Sequence, residues 1–168
     1  VQSLAVGAYF ALLLKEDGSL WSSGFNAYGQ LGVADTKQRE TFTATNLPAD
    51  VIAISAGYEH SLALKKDGTV WGAGYGYMGA LGEKATDAEH PSFVEIFADA
   101  KAIAAGHYHS LLLKNDGTVY ASGINDNGDL GVGHTNETTS FTQTVETSGS
   151  PLTNVVSIVA GYRNSFDL

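Results

Sequence analysis

Short apolar runs alternate with glycine-rich turns along the whole chain, and the alternation repeats. Residues 11–14 (ALLL), 62–64 (LAL) and 111–113 (LLL) each lead to an Asp-Gly pair, at Asp17-Gly18, Asp67-Gly68 and Asp116-Gly117. A second run follows each pair: SLWSSG, TVWGAG and TVYASG. Apolar runs this short, bounded by turn signals, read as strands, and Asp-Gly supplies the two positive-φ residues favoured in tight hairpins. Further along come Gly29-Gln30-Leu31-Gly32, Gly79-Ala80-Leu81-Gly82 and Gly128-Asp129-Leu130-Gly131, then polar stretches, then β-prone segments at 92–96 and 141–145. Runs at 51–56 and 101–105 open the next unit.

The period is set by Gly7, Gly57, Gly106 and Gly161, spaced by 50, 49 and 55 residues. Each unit holds four strands, here called A (before that glycine), B, C and D. Four antiparallel strands in about 50 residues make a β-propeller blade. The expected fold is all-β: blade repeats at 1–49, 50–99 and 100–154, and the start of a fourth at 155–168. Three blades and a fragment cannot close a circle, and an open stack leaves strand edges and blade faces exposed. More blades outside these residues, or further chains, are therefore expected to complete the ring. Two copies supply six full blades with surplus strands, so a homo-oligomer is one such reading.

Composition reinforces this picture. Twenty glycines against 16% charged residues suit a turn-rich β protein, and 168 residues at 43% hydrophobic content suffice for a core. With no cysteine there is no disulfide frame, thiol nucleophile or common structural zinc site. A net charge of −9, with nine scattered Lys and Arg, argues against nucleic acid as a partner. The apolar stretches are far shorter than a membrane span, so membrane insertion is not expected. The chain opens on Val1 with no charged-then-apolar leader, which reads as a processed protein or a fragment; its location in the cell is left open. Residues 50–99 carry three Lys against eight Asp and Glu, so any basic partner is steered toward the second unit.

The residues Ala56-Gly57, His60-Ser61-Leu62-Ala63-Leu64, Asp67-Gly68, Val70-Trp71, Gly74 and Leu81-Gly82, with Asn26 and Gly29 to Gly32 in the first unit, resemble the regulator of chromosome condensation repeat. The resemblance covers essentially the whole chain. It implies a β-propeller, seven-bladed in most members, acting as a protein-binding platform. Exchange-factor activity toward a small GTPase belongs to only some members and does not follow from the repeat. The pattern departs at Phe10-Ala11, which replace His-Ser, at Asn164, which replaces His, and at Tyr120, which stands where the other units have Trp21 and Trp71.

Because strand direction alternates, the A–B and C–D connections emerge on one rim and the B–C and D–A connections on the other. The first rim collects Tyr9, Tyr28, Tyr58, Tyr75, Tyr77, Tyr108 and Tyr162, seven of the eight tyrosines, with Glu59, His107 and Arg163. Aromatic side chains dominate interface hot spots, so these ten residues are the candidate binding set. The competing account packs the same rings between blades. The opposite rim carries Asp-Gly turns that do little besides reverse the chain.

Other chemistry is weaker. His60 and His109 recur at the blade period, which points to a structural bond to turn backbone, since a catalytic group is needed once. Asn125-Asp126-Asn127-Gly128-Asp129 superficially matches a calcium loop but reads as a turn. Trp21, Trp71 and Tyr120 read as residues wedged between blades. No nucleophile, base and orienter set is visible, so neither a catalytic residue, a metal nor a cofactor is expected. The leading functional expectation is a protein-interaction module presenting the aromatic rim; the alternative is a structural or assembly module of a larger secreted, cell-surface or virion protein. An enzyme or guanine-nucleotide exchange factor ranks third.

Overall fold

The computed structural model describes residues 1–82 and 89–167. The polar stretch 83–88 that follows Gly82, and Leu168, lie outside the described residues. Three four-stranded antiparallel sheets form, each in sequence order, as the three blades. The first comprises β1 (Ser3–Val6), β2 (Phe10–Leu14), β3 (Leu20–Gly24) and β4 (Arg39–Ala44). The second comprises β5 (Val51–Ala56), β6 (His60–Lys65), β7 (Val70–Tyr75) and β8 (Glu89–Phe97); the third, β9 (Ala100–Ala105), β10 (His109–Lys114), β11 (Val119–Gly123) and β12 (Thr138–Gln143). β13 (Ile158–Ala160) and β14 (Ser165–Asp167) pair alone and occupy the A and B places of a fourth blade. No helix among the described residues is long and apolar enough to cross a membrane.

Blades stack face to face through their inner strands: β5 packs on β1 and β2, β9 on β5 and β6, and β13 on β9 and β10. The consequence is visible in burial. The B strand of the first blade, covered on one side, alternates buried and half-buried residues, whereas residues 60–64 and 109–113 are buried on both faces. Leu12, Leu14, Leu31, Val51, Ala63 and Phe93 form the core between blades one and two. Each fully buried leucine contributes roughly 1.5–3 kcal/mol relative to an exposed one.

The B–C hairpins differ from the expected form. Among Lys15, Glu16, Asp17 and Gly18 only the glycine has positive φ, at 76°, and the same holds at Gly68 and Gly117. The turn closes from the Gly18 N–H to the Lys15 carbonyl and from the Lys15 N–H to the Ser19 carbonyl, a type I turn with a left-handed glycine bulge. Asp17 supplies hydrogen bonds instead of unusual backbone. Its carboxylate accepts from the Ser19 N–H and hydroxyl, as Asp67 and Asp116 do from Thr69 and Thr118. These contacts hold all three carboxyls below the usual carboxylate range.

These turns also do more than reverse the chain. The carbonyls of Gly18, Gly68 and Gly117 accept from the N–H groups of Val51, Ala100 and Val155, tying each hairpin to the entry of the following unit. Just before each of those residues stands Asp50, Asp99 or Asn154 with φ of 86°, 64° and 63°. Asp and Asn tolerate this left-handed region better than other side chains.

Candidate functional site

The turn between strands A and B places the rim residues. In each unit the N–H of the glycine bonds the carbonyl three residues on: Gly7 to Phe10, Gly57 to His60, Gly106 to His109 and Gly161 to Asn164. The side chain of that third residue folds back over the glycine, so a Cβ on Gly57 would sit 2.3 Å from the His60 ring. Glycine is required there by close approach, not by φ. The two residues between project from the rim. A second backbone bond fixes the C–D loop beside them: Phe25 N–H to the Tyr9 carbonyl, Tyr75 to Glu59 and Ile124 to Tyr108, at 2.8–3.0 Å.

These loops bring together all ten residues expected on the rim. Seven rings form a closed circuit. Tyr9 meets Phe25 at 6.3 Å, Phe25 meets Tyr28 at 6.2 Å, and Tyr28 stacks on Tyr75 at 4.8 Å. Tyr75 stacks on Tyr77 at 5.4 Å, Tyr77 meets Tyr108 at 5.6 Å, Tyr108 meets Tyr58 at 5.6 Å, and Tyr58 returns to Tyr9 at 6.1 Å. His107 joins the circuit through Tyr58 and Tyr108, at 4.2 and 4.1 Å, and carries it on to Tyr162 at 4.1 Å. Arg163 lies over Tyr162. Edge-to-face and stacked pairs at these distances are favourable beyond the area they bury.

The rings are neither wholly buried between blades nor free. Tyr9 and Tyr162 are 67% and 66% exposed and Phe25 39%, while Tyr28, Tyr58, Tyr75, Tyr77, Tyr108 and His107 are half-buried by their neighbours in the circuit. Phe25, absent from the expected set, completes the circuit; its place directly after Gly24, equivalent to Tyr75 after Gly74, is the sequence signal for it.

Electrostatics mark one corner. Burial raises the Glu59 carboxyl, and among the described residues no base within salt-bridge distance compensates it. Burial pushes the Tyr108 phenol up to about 12, with Glu59 and then Tyr58 adding to the effect. Tyr58 is raised first by its hydrogen bond with Tyr9, and Glu59 contributes there too. His107 is lowered by burial and then by Arg163.

The other candidates settle into the framework. His60 Nε2 lies 3.0 Å from the Ser110 hydroxyl of the next blade, so its bond crosses between blades instead of meeting turn backbone. Asn125 is fully buried; its Nδ2 donates to the carbonyls of His134 and Asn136 and its Oδ1 accepts from Leu130 N–H. Asn26 does the same in the first blade, to Asp35, Lys37 and Leu31. Both asparagines pin the long C–D loop. Trp71 and Tyr120 pack against the clusters between blades, whereas Trp21 lies under the Lys15 ammonium at 3.6 Å. Among the described residues no three His, Asp or Glu side chains gather as a metal site.

Comparison with known proteins gives two family-model matches, both described as the Regulator of chromosome condensation (RCC1) repeat. One covers residues 1–30, 51–80 and 100–129, the other 17–64 and 67–113. No curated protein sequence matches significantly. Among solved structures, Prp20p from Saccharomyces cerevisiae, described with its binding to Gsp1p and histones, superposes with a TM-score of 0.85 at 24% identity, over 99% of this chain and 43% of its own. Yeast RCC1 (Prp20) bound to Kap60 gives 0.84 at 26%, over 98% and 41%, and human WBSCR16 gives 0.81 at 28%, over 94% and 43%. The chain thus spans less than half the length of each of these three structures.

Proposed function

The chain belongs to the RCC1 repeat family of β-propeller proteins, and from that premise we propose that it is a non-catalytic protein-interaction module whose partner docks on the Tyr9–Tyr162 rim. The closed ring circuit carries this reading. Packing aromatic groups against one another fixes their rotamers before any partner arrives, which lowers the entropy cost of binding, while exposed edges at Tyr9, Phe25 and Tyr162 remain for contact. The opposite rim, built of charged turns spent on bonds to the next unit, offers nothing comparable.

Glu59 sharpens the partner's chemistry. A partly desolvated carboxylate beside phenol faces suits a lysine or arginine, which gains an ion pair and ring contact together. That the family relative Prp20p binds the proteins Gsp1p and histones, and was solved with Kap60, supports a protein as the ligand class.

The test compares capture of interacting proteins by the intact chain and by a Tyr58→Ala, Tyr108→Ala, Tyr162→Ala triple variant, with thermal melting as the folding control. Affinity for the captured partner should fall by at least about tenfold. Unchanged affinity in a folded triple variant rules the rim out.

A further inference from the structure

Glu59 stands two residues after the turn glycine, at the place that Tyr9 and Tyr108 hold in the flanking units. Its surroundings follow from that register. Tyr58, the residue before it, touches the rings of both Tyr9 and Tyr108, and Tyr75 on the neighbouring loop donates its N–H to the Glu59 carbonyl at 2.8 Å. All four tyrosines belong to the seven-ring circuit, so the circuit runs around this carboxylate. Successive rings from Tyr9 through Tyr58 and Tyr108 to Tyr77 meet at 72°, 66° and 71°, with centroids 5.6–6.1 Å apart. Rings turned this way are adjoining walls, not a stack.

The carboxylate itself is uncompensated. Burial raises it, and among the described residues no hydrogen bond or ion pair offsets that burial. It also belongs to the unit with three Lys against eight Asp and Glu, so the complementary occupant is a cation. Which cation depends on how many N–H groups it brings. The backbone carbonyls here already accept: Tyr9 from Phe25 at 2.9 Å, Glu59 from Tyr75 at 2.8 Å, Tyr108 from Ile124 at 3.0 Å and His107 from Tyr58 at 3.3 Å. The Tyr9 and Tyr58 hydroxyls are bonded to each other. A primary ammonium brings three donors and a guanidinium five, and donors stripped of water without a new acceptor cost free energy. A quaternary ammonium brings none. Its charge, spread over methyl groups, needs only ring faces and one opposing charge.

Taking the rim as the protein-binding face, we infer that the box formed by Tyr9, Tyr58, Tyr108 and Tyr77 around Glu59 receives the side chain of a trimethylated lysine on the partner. The methyl groups meet the phenol rings and Glu59 supplies the opposing charge. Unmodified lysine binds less well, because its N–H groups lose water and find too few acceptors.

The experiment titrates three blocked pentapeptides into the intact chain: Gly-Gly-Lys-Gly-Gly, its Nε-trimethylated form, and the uncharged tert-butyl isostere of that form. The trimethylated peptide should bind at least about tenfold more tightly than either of the others. Unmodified lysine or the uncharged isostere binding equally well overturns the inference. Glu59→Gln should erase the advantage over the isostere, and Tyr9→Ala should weaken the trimethylated peptide at least about threefold, with thermal melting as the folding control. The lysine stem adds apolar contact that a free cation lacks, so choline should bind at least about tenfold more weakly than the trimethylated peptide. Choline binding as tightly gives the site to a small molecule and overturns the inference. If trimethylation confers no preference while the Tyr58, Tyr108, Tyr162 triple variant loses its captured partner, the inference falls and the rim reading stands. If the triple variant keeps that partner, the rim reading falls and the inference with it.

Discussion

His60 and Ser110 are bonded across 50 residues of sequence: the imidazole Nε2 is 3.0 Å from a hydroxyl that itself donates to the Ala80 carbonyl at 2.7 Å. A hydroxyl has one proton to give, so the histidine must donate, which fixes the Nε2–H tautomer. Protonation would leave that bond intact, and it is burial that keeps the ring neutral, holding the His60 pKa down at about 3, with His109 and His107 pushing the same way.

Acid should weaken the fold through this residue. The unfolded chain takes up a proton at His60 near pH 6.5 that the folded chain refuses, so stability is level above that range and falls as pH drops toward 3. The slope from one such group is at most about 1.4 kcal/mol per pH unit. His107 and His109, both lowered chiefly by burial, act in the same sense. Chemical denaturation from pH 7 to pH 5 should show the loss, and His60→Gln should flatten it while costing about 2–3 kcal/mol at pH 7. An unaltered pH profile in that variant would falsify the assignment.

The asparagine pins give a second measurable quantity. Asn26→Ala removes three hydrogen bonds at a fully buried site and leaves the Asp35 carbonyl without its donor, while the Lys37 carbonyl keeps its bond from Arg39. A loss of about 2–4 kcal/mol is expected in urea titration. Gly76 occupies this position in the second blade, so no asparagine pin operates there.

Equivalent glycines should respond unequally. Gly32→Ala meets both the left-handed backbone and the Phe93 ring, whereas Gly131→Ala meets only the backbone. The shared conformational cost is roughly 1–2 kcal/mol, and the overpacking at Gly32 adds about 1–3 kcal/mol. Equal destabilisation of the two variants would mean that the ring yields freely.

Among the phenols, Tyr108 should be conspicuous. Absorbance titration at alkaline pH should show a tyrosine ionising near 12, well after ordinary exposed phenols, and Tyr108→Phe should delete that late step. Glu59→Gln should advance it toward lower pH, because the carboxylate is part of its cause.

Sequence alone carried the strands and the sorting of turns onto two rims because both depend on local signals repeated three times. Residues 51–56, for instance, were expected as a strand and form β5 with those bounds. What escaped it lies between units. Nothing near His60 announces Ser110, and the purpose of Gly29 and Gly32 appears only when Pro91 and Phe93 are seen on top of them. The Asp-Gly turns misled for another reason: the Asp17 side chain satisfies the hairpin from ordinary backbone, only Gly18 of the pair being left-handed, while the left-handed aspartate is Asp50, on the facing connection. On the rim, the ten candidate residues could be grouped by strand direction, but the circuit they form needed distances.

Each joint between blades has two unlike halves, a bare glycine pair behind and a phenylalanine ahead, and every complete unit carries one of each. A tandem duplication of any whole unit therefore copies both halves at once. Such an array can lengthen or shorten by whole units with no compensating substitution in its neighbours, so blade count is free to drift where the sequence of a single joint is not.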